Sequence, residues 1–319
     1  MRRTCGEDPI IKRVVCCALL CALGLFLLSG CRVGTAAETP PDVTLAPTPE
    51  SPTPRPPGED TPLATDPGQQ QETDKLEALG LQLQAGLDGL SGRWELRVEV
   101  LSGNGGTCTA GSGEQNGPMV SASLIKLFVM GAVYERIEQG ALSETELRDS
   151  LNKMIAVSDN ASANALIRLL GDGDAAAGMD AVNAWAASVD CGDVRLNRLM
   201  LEDNGLENYV SARSCALLLG LIYRGECVSA AASGSMLALL KEQTVNDRIP
   251  QGLPAGTVCA HKTGNLAGLC VADVGVVYAP GTDYIFCAIC NDPSGDAEAT
   301  AAIAELSRTV YDYFAATGR

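Results

Sequence analysis

Residues 257–291 read TVCAHKTGNLAGLCVADVGVVYAPGTDYIFCAICN, and this stretch decides the fold class. Two runs rich in valine, isoleucine and aromatic residues, 269–279 and 283–291, are parted by Pro280 and Gly281, the pattern of neighbouring strands joined by a turn. A third strand precedes them, with His261 and Lys262 near its end. Working outward, a closing helix is predicted over 296–315. At the other end of the chain Trp94, Leu96, Val98 and Val100 alternate with polar residues, the period of a half-buried strand, and the glycines of 103–106 turn the chain into a second strand at 107–110. Leucines at 76, 79, 83, 87 and 90 place an amphipathic helix over 72–90. Between the two strand-bearing ends, helices are predicted at 123–139, 143–157, 161–170, 179–188, 212–223 and 233–242. The resulting class is α/β in the broad sense, more narrowly α+β. One antiparallel sheet is made from both chain ends and flanked by helices, and an all-helical lobe is inserted between them. A cleft between the two lobes is the natural place for a site.

The first 30 residues have a different character. Arg2, Arg3, Lys12 and Arg13 precede an apolar run over 14–28 that stops at Leu28-Ser29-Gly30-Cys31. This is the layout of an export signal. It resembles a bacterial lipoprotein signal, which implies cleavage before Cys31 and lipidation of that cysteine, so that a lipid holds the protein to the membrane. A single uncleaved transmembrane anchor is the alternative, since the apolar run is near the short end of what spans a bilayer. Both place most of the chain outside the cytoplasm.

From residue 31 to about 72 the chain is dominated by Pro, Thr, Glu, Asp and Ala, and ten of its 16 prolines fall there. Apolar residues are too sparse for a core, and proline disfavours helix and sheet, so this reads as a semi-extended tether. Residues 73–319 then form the globular domain, long enough for one sizeable core or two interlocked layers. Beyond the signal, 37 acidic residues face 19 basic ones. That balance excludes the basic surface a nucleic-acid partner would need, without excluding a small anionic substrate.

The polar residues that interrupt apolar helices carry the chemistry. In PMVSASLIKLF, residues 118–128, Ser123 and Lys126 are one helical turn apart and share a face. A serine hydroxyl needs a base before it can attack, and a lysine lowered in proton affinity by burial can serve. Lys126 lies among Ile125, Leu127 and Phe128, so its charge requires a polar partner or a cleft. Ser158-Asp159-Asn160 follows an apolar stretch. Ser158 or Asp159 suits the cap of the next helix, a role compatible with proton relay by Ser158 and hydrogen bonding by Asn160. In Lys262-Thr263-Gly264 the glycine permits close approach of a substrate backbone, while Lys262 and Thr263 suit a carboxylate.

His261 is the single histidine of the chain, so a histidine-based triad or metal site is hard to assemble. Eight cysteines fall in the globular domain, namely Cys108, Cys191, Cys215, Cys227, Cys259, Cys270, Cys287 and Cys290. The pair Cys287/Cys290 has a redox or metal-like spacing, but it lies in a strand-like run without a second close pair. Buried thiols or structural disulfides are the stronger expectation.

Taken together, these motifs resemble the penicillin-recognising serine enzymes, most closely the class A β-lactamase group, in which Ser-x-x-Lys, Ser-Asp-Asn and Lys-Thr-Gly occur in this order. The likeness spans residues 76–314 and extends to the longer run from Ser158 to Asn164. It implies that Ser123 attacks an acyl carbonyl with Lys126 as proton acceptor and that Ser158 and Lys262 complete the transfer network. Asn160 would contact the substrate amide, and Thr263 with Lys262 its carboxylate. The backbone N–H groups of Ser123 and Asn265, beside Gly264, would form an oxyanion hole. No metal or organic cofactor is implied. The expected ligand is a β-lactam or a wall-peptide-like small substrate, and the domain is expected to act as a monomer. One departure stands out. The family carries a deacylating glutamate two residues after a loop arginine. Here Arg198 matches the arginine, and Met200 falls at the glutamate position and cannot act as a base. Glu202, two residues on, fits an exposed loop carboxylate unless the loop runs differently. Acylation is therefore expected to survive and hydrolysis of the acyl-enzyme to be slow. The alternatives are a penicillin-binding peptidase acting on D-alanyl wall peptides and a non-catalytic wall-binding module.

Overall fold

The computed structural model describes residues 67–103, 105–112 and 118–317. The export signal, Cys31 and most of the tether lie outside the described residues. No helix among those described is long and apolar enough to cross a membrane.

The order of elements is α1 (Pro67–Gly86), β1 (Arg93–Val100), β2 (Thr107–Gly111), β3 (Met119–Val120), a 3-10 turn (Ala122–Ile125), α2 (Lys126–Glu138), α3 (Glu144–Ala156), α4 (Asn160–Leu170) and α5 (Ala175–Ser188). There follow β4 (Tyr209–Val210), α6 (Ala212–Arg224), α7 (Ala230–Lys241), α8 (Ile249–Gly252), β5 (Val258–Leu266), β6 (Cys270–Tyr278), β7 (Tyr284–Asn291) and α9 (Asp296–Thr317). The main sheet is antiparallel with strand order β2-β1-β7-β6-β5. The N-terminal strand β1 lies directly against the last strand, β7, pairing Arg93 with Asn291 through Val100 with Tyr284. The two ends of the chain thus close one sheet, as the strand pattern at 93–100 and 257–291 required.

Two apolar layers cover the sheet. Trp94, Leu96, Val98 and Val100 point with Phe286 and Ala288 into a core shared with Leu79 and Leu83 of α1 and Ile303, Leu306 and Phe314 of α9. Ala272, Val274, Cys287 and Ile289 face the helical lobe. With both faces covered, β6 and β7 are buried almost throughout, which explains their near-continuous apolar sequence. In the helical lobe, Lys126 through Tyr134 are all buried, so α2 is its central helix. Gly131 is needed there because a Cβ would meet the Trp185 ring of α5 at 1.9 Å.

Several local expectations are corrected. β5 continues to Leu266, so His261 and Lys262 lie in mid-strand rather than near its end. The serine segment is a 3-10 turn, and the α-helix begins only at Lys126. The first helix starts at Pro67, inside the stretch read as tether. All eight cysteines of the domain are free thiols, seven of them buried. Cys287 and Cys290 belong to opposite apolar layers because a spacing of three in a strand reverses the side-chain direction, so they form no chelating pair.

Candidate functional site

Ser123 sits in the 3-10 turn between β3 and α2. The residue before it, Ala122, has φ +42°, and Ser158, between α3 and α4, has φ +58°. Non-glycine residues in this region store backbone strain, which persists where surrounding structure over-determines it. At Ser158 the constraint is visible: Asp159 caps α4 by accepting the Ser162 N–H at 2.7 Å, a bond that contributes about 1 kcal/mol. Hydrogen bonding from the Ser162 hydroxyl, and then from its N–H, holds the Asp159 carboxyl below its usual range.

The two lysines meet at one hydroxyl. Lys126 Nζ donates to the Ser158 carbonyl at 2.6 Å, to Asn160 Oδ1 at 2.7 Å and to Ser158 Oγ at 3.2 Å. Lys262 Nζ donates to the same Oγ at 2.9 Å and to the Thr263 carbonyl at 2.9 Å. Both lysines are fully buried. Burial lowers Lys126 to about 8, opposed by the Asp159 charge. Burial, and then the Lys126 charge, lower Lys262 to about 7. With both lone pairs of Ser158 Oγ accepting, its proton is free to point elsewhere.

A small cleft of about 50 Å³ opens beside this network, lined by Ser123, Asn160, Met200, Leu201, Glu207 and Asn265 among others. Its openness to Ser123 matches that hydroxyl's lack of a hydrogen-bond partner among the described residues. Lys126 donates to Ser158 and Asn160 rather than to Ser123. In hydrolytic sites, contacts between a serine and its base commonly tighten only when substrate is bound. Thr263 is 4% exposed. Gly264 serves the turn itself: a Cβ there would meet the Ser121 carbonyl at 3.1 Å and Leu124 at 3.2 Å. The close approach that this glycine permits in the structure is that of the serine segment.

Arg248 escaped sequence reasoning. It is 4% exposed, and its Nη2 donates to Asn265 Oδ1 at 2.8 Å, adding a second buried cation near Lys262. No local pattern in the loop before α8 marks it, because its neighbour Asn265 is brought to it by the strand. His261, by contrast, faces away from this chemistry, with Nδ1 2.9 Å from Asp273 Oδ1 and Nε2 3.1 Å from Asn246 Oδ1. Among the described residues, no cluster of His, Cys, Asp or Glu is arranged to hold a metal ion.

The loop after Arg198 forms one wall of the cleft. Met200 is 7% exposed and tied at both backbone groups to Asn164. Glu202 points outward and is half-exposed, with Arg168 3.8 Å away. Arg198 Nη2 instead donates to Glu207 Oε2 at 2.6 Å.

A family model for the beta-lactamase enzyme family matches residues 143–314. That span contains Ser158 and Lys262, and Ser123 and Lys126 lie just N-terminal to it. No curated protein sequence matches the chain. Among solved structures, "PBP-A" is similar at 23% identity and TM-score 0.66, over 75% of this chain and 96% of that one. A mutant of PBP-A in an acyl-enzyme complex with penicillin G is similar at 23% identity and TM-score 0.64, over 76% and 97%. A beta-lactamase from Sphaerobacter thermophilus DSM 20745 is similar at 23% identity and TM-score 0.63, over 77% and 97%. At these identities the likeness establishes a shared fold.

Proposed function

Because the chain belongs to the beta-lactamase enzyme family, we infer that it is a serine hydrolase acylated at Ser123 by a β-lactam or a related amide or ester. The observation that carries this reading is the shared Ser158 hydroxyl, which accepts from both buried lysines beside the cleft that Ser123 lines.

In the proposed reaction, neutral Lys126 takes the Ser123 proton as Oγ bonds to the acyl carbon. The oxyanion is held by the backbone N–H groups of Ser123 and Asn265. Collapse expels the amide nitrogen, which takes a proton from Ser158 Oγ, and Ser158 is reprotonated from the lysine pair. Asn160 Oδ1 is occupied by Lys126, which leaves its amide N–H groups to donate to the substrate amide. Lys262, Thr263 and Arg248 form the cationic and hydroxyl-bearing side that suits a substrate carboxylate. The penicillin G acyl-enzyme of a structural relative supports a β-lactam as one acyl donor.

Deacylation is the slow step in this account, because Met200 stands where a carboxylate would be needed. That observation also favours the second reading, a penicillin-binding peptidase acting on D-alanyl wall peptides, since such an enzyme need not hydrolyse penicillin quickly. The charged start, apolar run and Cys31 support export and lipid anchoring at the outer face of a cell membrane, with residues 31–72 as tether. The test is turnover of a chromogenic cephalosporin and of a D-alanyl-D-alanine peptide by the full-length protein and Ser123→Ala. Slow serine-dependent turnover of either supports the reading. Equal rates for the two proteins contradict it.

A further inference from the structure

Glu207 lines the reaction cleft with Ser123 and Asn160 and is the one carboxylate among the described residues that line it. Its position is built rather than incidental. Val120 and Met119, which lead into the serine turn, pair with Tyr209 and Val210 of β4. Ser121 N–H donates to the Asn208 carbonyl at 2.8 Å. The Asn208 side chain in turn accepts the Asn197 N–H at 2.7 Å and the Arg198 N–H at 3.0 Å. Glu207 is therefore clamped alongside β3, the strand that leads into the serine turn. Its Oε2 accepts from Arg198 at 2.6 Å, which keeps a charged carboxylate in a half-buried place. Oε1 has no hydrogen-bond partner among the described residues. Glu202 cannot compete for the same role, since it faces outward toward Arg168.

The geometry points to Glu207 as the carboxylate that orients and deprotonates the hydrolytic water during deacylation, in place of the glutamate that Met200 lacks. This rests on acylation of Ser123. Oε1 accepts a proton from water while the water oxygen bonds to the acyl carbon of the Ser123 ester. The tetrahedral oxyanion then collapses, the bond from carbon to Ser123 Oγ breaks, and Oγ takes a proton from Ser158, which is reprotonated from the lysine pair; Glu207 releases its proton to solvent and the lysine pair regains one from it. The products are the free acid and the original serine.

The experiment follows the lifetime of the benzylpenicillin adduct by intact mass in the full-length protein, Glu207→Gln and Glu202→Gln. The glutamine oxygen can still accept from Arg198, so the loop is retained. The adduct is expected to persist about tenfold longer or more in Glu207→Gln, with Glu202→Gln like the parent. Hydroxylamine, a nucleophile that needs no carboxylate base, is expected to cleave all three adducts at equal rates. An unchanged lifetime in Glu207→Gln overturns the assignment, as does a hydroxylamine rate slowed by the same factor, which would mark a distorted cleft. If the parent protein forms no adduct, the serine-acylation reading falls and this one falls with it; an adduct indifferent to Glu207 overturns this one alone.

Discussion

Asn164 holds Met200 at both of its backbone groups: the amide Nδ2 donates to the Met200 carbonyl at 3.1 Å and Oδ1 accepts the Met200 N–H at 2.7 Å. One side chain on α4 thus fixes the height of a loop residue that lines the cleft with Ser123, whatever side chain that residue bears. Removing it with Asn164→Ala leaves two part-buried backbone groups unpaired. The expected cost is about 1–3 kcal/mol of stability, measured by denaturant unfolding, together with slower acylation as the cleft wall loosens.

Because the Asn164 bonds are to the backbone, they survive replacement of the Met200 side chain. Met200→Glu should therefore deliver a carboxylate to the wall beside Ser123 and shorten the penicillin adduct's life by on the order of 100-fold. Stopped-flow or mass-resolved decay of the adduct measures this directly. No acceleration would mean that the loop holds the new side chain away from the acyl carbon.

Gly264 gives a prediction about the turn rather than the ligand. Gly264→Ala puts a methyl 3.1 Å from the Ser121 carbonyl and 3.2 Å from Leu124, tighter than ordinary contact, so the serine turn must shift by a few tenths of an ångström. Acylation should slow, with a stability loss of about 1 kcal/mol. Paired measurement of acylation rate and melting temperature separates the two effects.

The lysine pair sets a pH dependence. Burial lowers Lys126 to about 8 and Lys262 to about 7, both from 10.5. Attack requires a neutral Lys126, so the acylation rate should climb with pH and level off above about 8. The stability linkage has the same sign. Between about 7 and 10.5 the unfolded chain holds protons that the folded protein has released, so these two groups make folding more favourable as pH rises through that window. Acylation rates from pH 6 to pH 9.5, roughly the span that brackets both lysines, check the first claim, and denaturant midpoints check the second.

How much of this was legible in the sequence differs by scale. The sheet closed by both chain ends followed from alternation at Trp94–Val100 and the apolar runs before Asn291, because strand period and burial are local signals. Ser123, Lys126, Ser158, Asn160 and Lys262 were legible as polar residues in apolar surroundings, and four of them converge on one hydrogen-bond network, with Ser123 opening onto the adjoining cleft. The strands β3 and β4 were not legible. Two residues carry no period, and only tertiary pairing of Met119 with Val210 makes them strands. For the same reason Glu207 was invisible beside Glu202. The sequence offers three loop carboxylates, Glu202, Asp203 and Glu207, and only the pairing that brings β4 to the serine segment decides which of them enters the cleft. Arg248 and the packing of Gly264 against the serine segment likewise depend on contacts between segments distant in the chain.

The central claim is that Ser123 is the acylated nucleophile. Incubation of the full-length protein with benzylpenicillin, followed by intact mass and peptide mapping, tests it most directly. The account predicts one covalent penicilloyl group on Ser123, long-lived relative to its formation and absent from Ser123→Ala. A protein that keeps its fold and gains no mass, or an adduct that forms equally in Ser123→Ala, would contradict it.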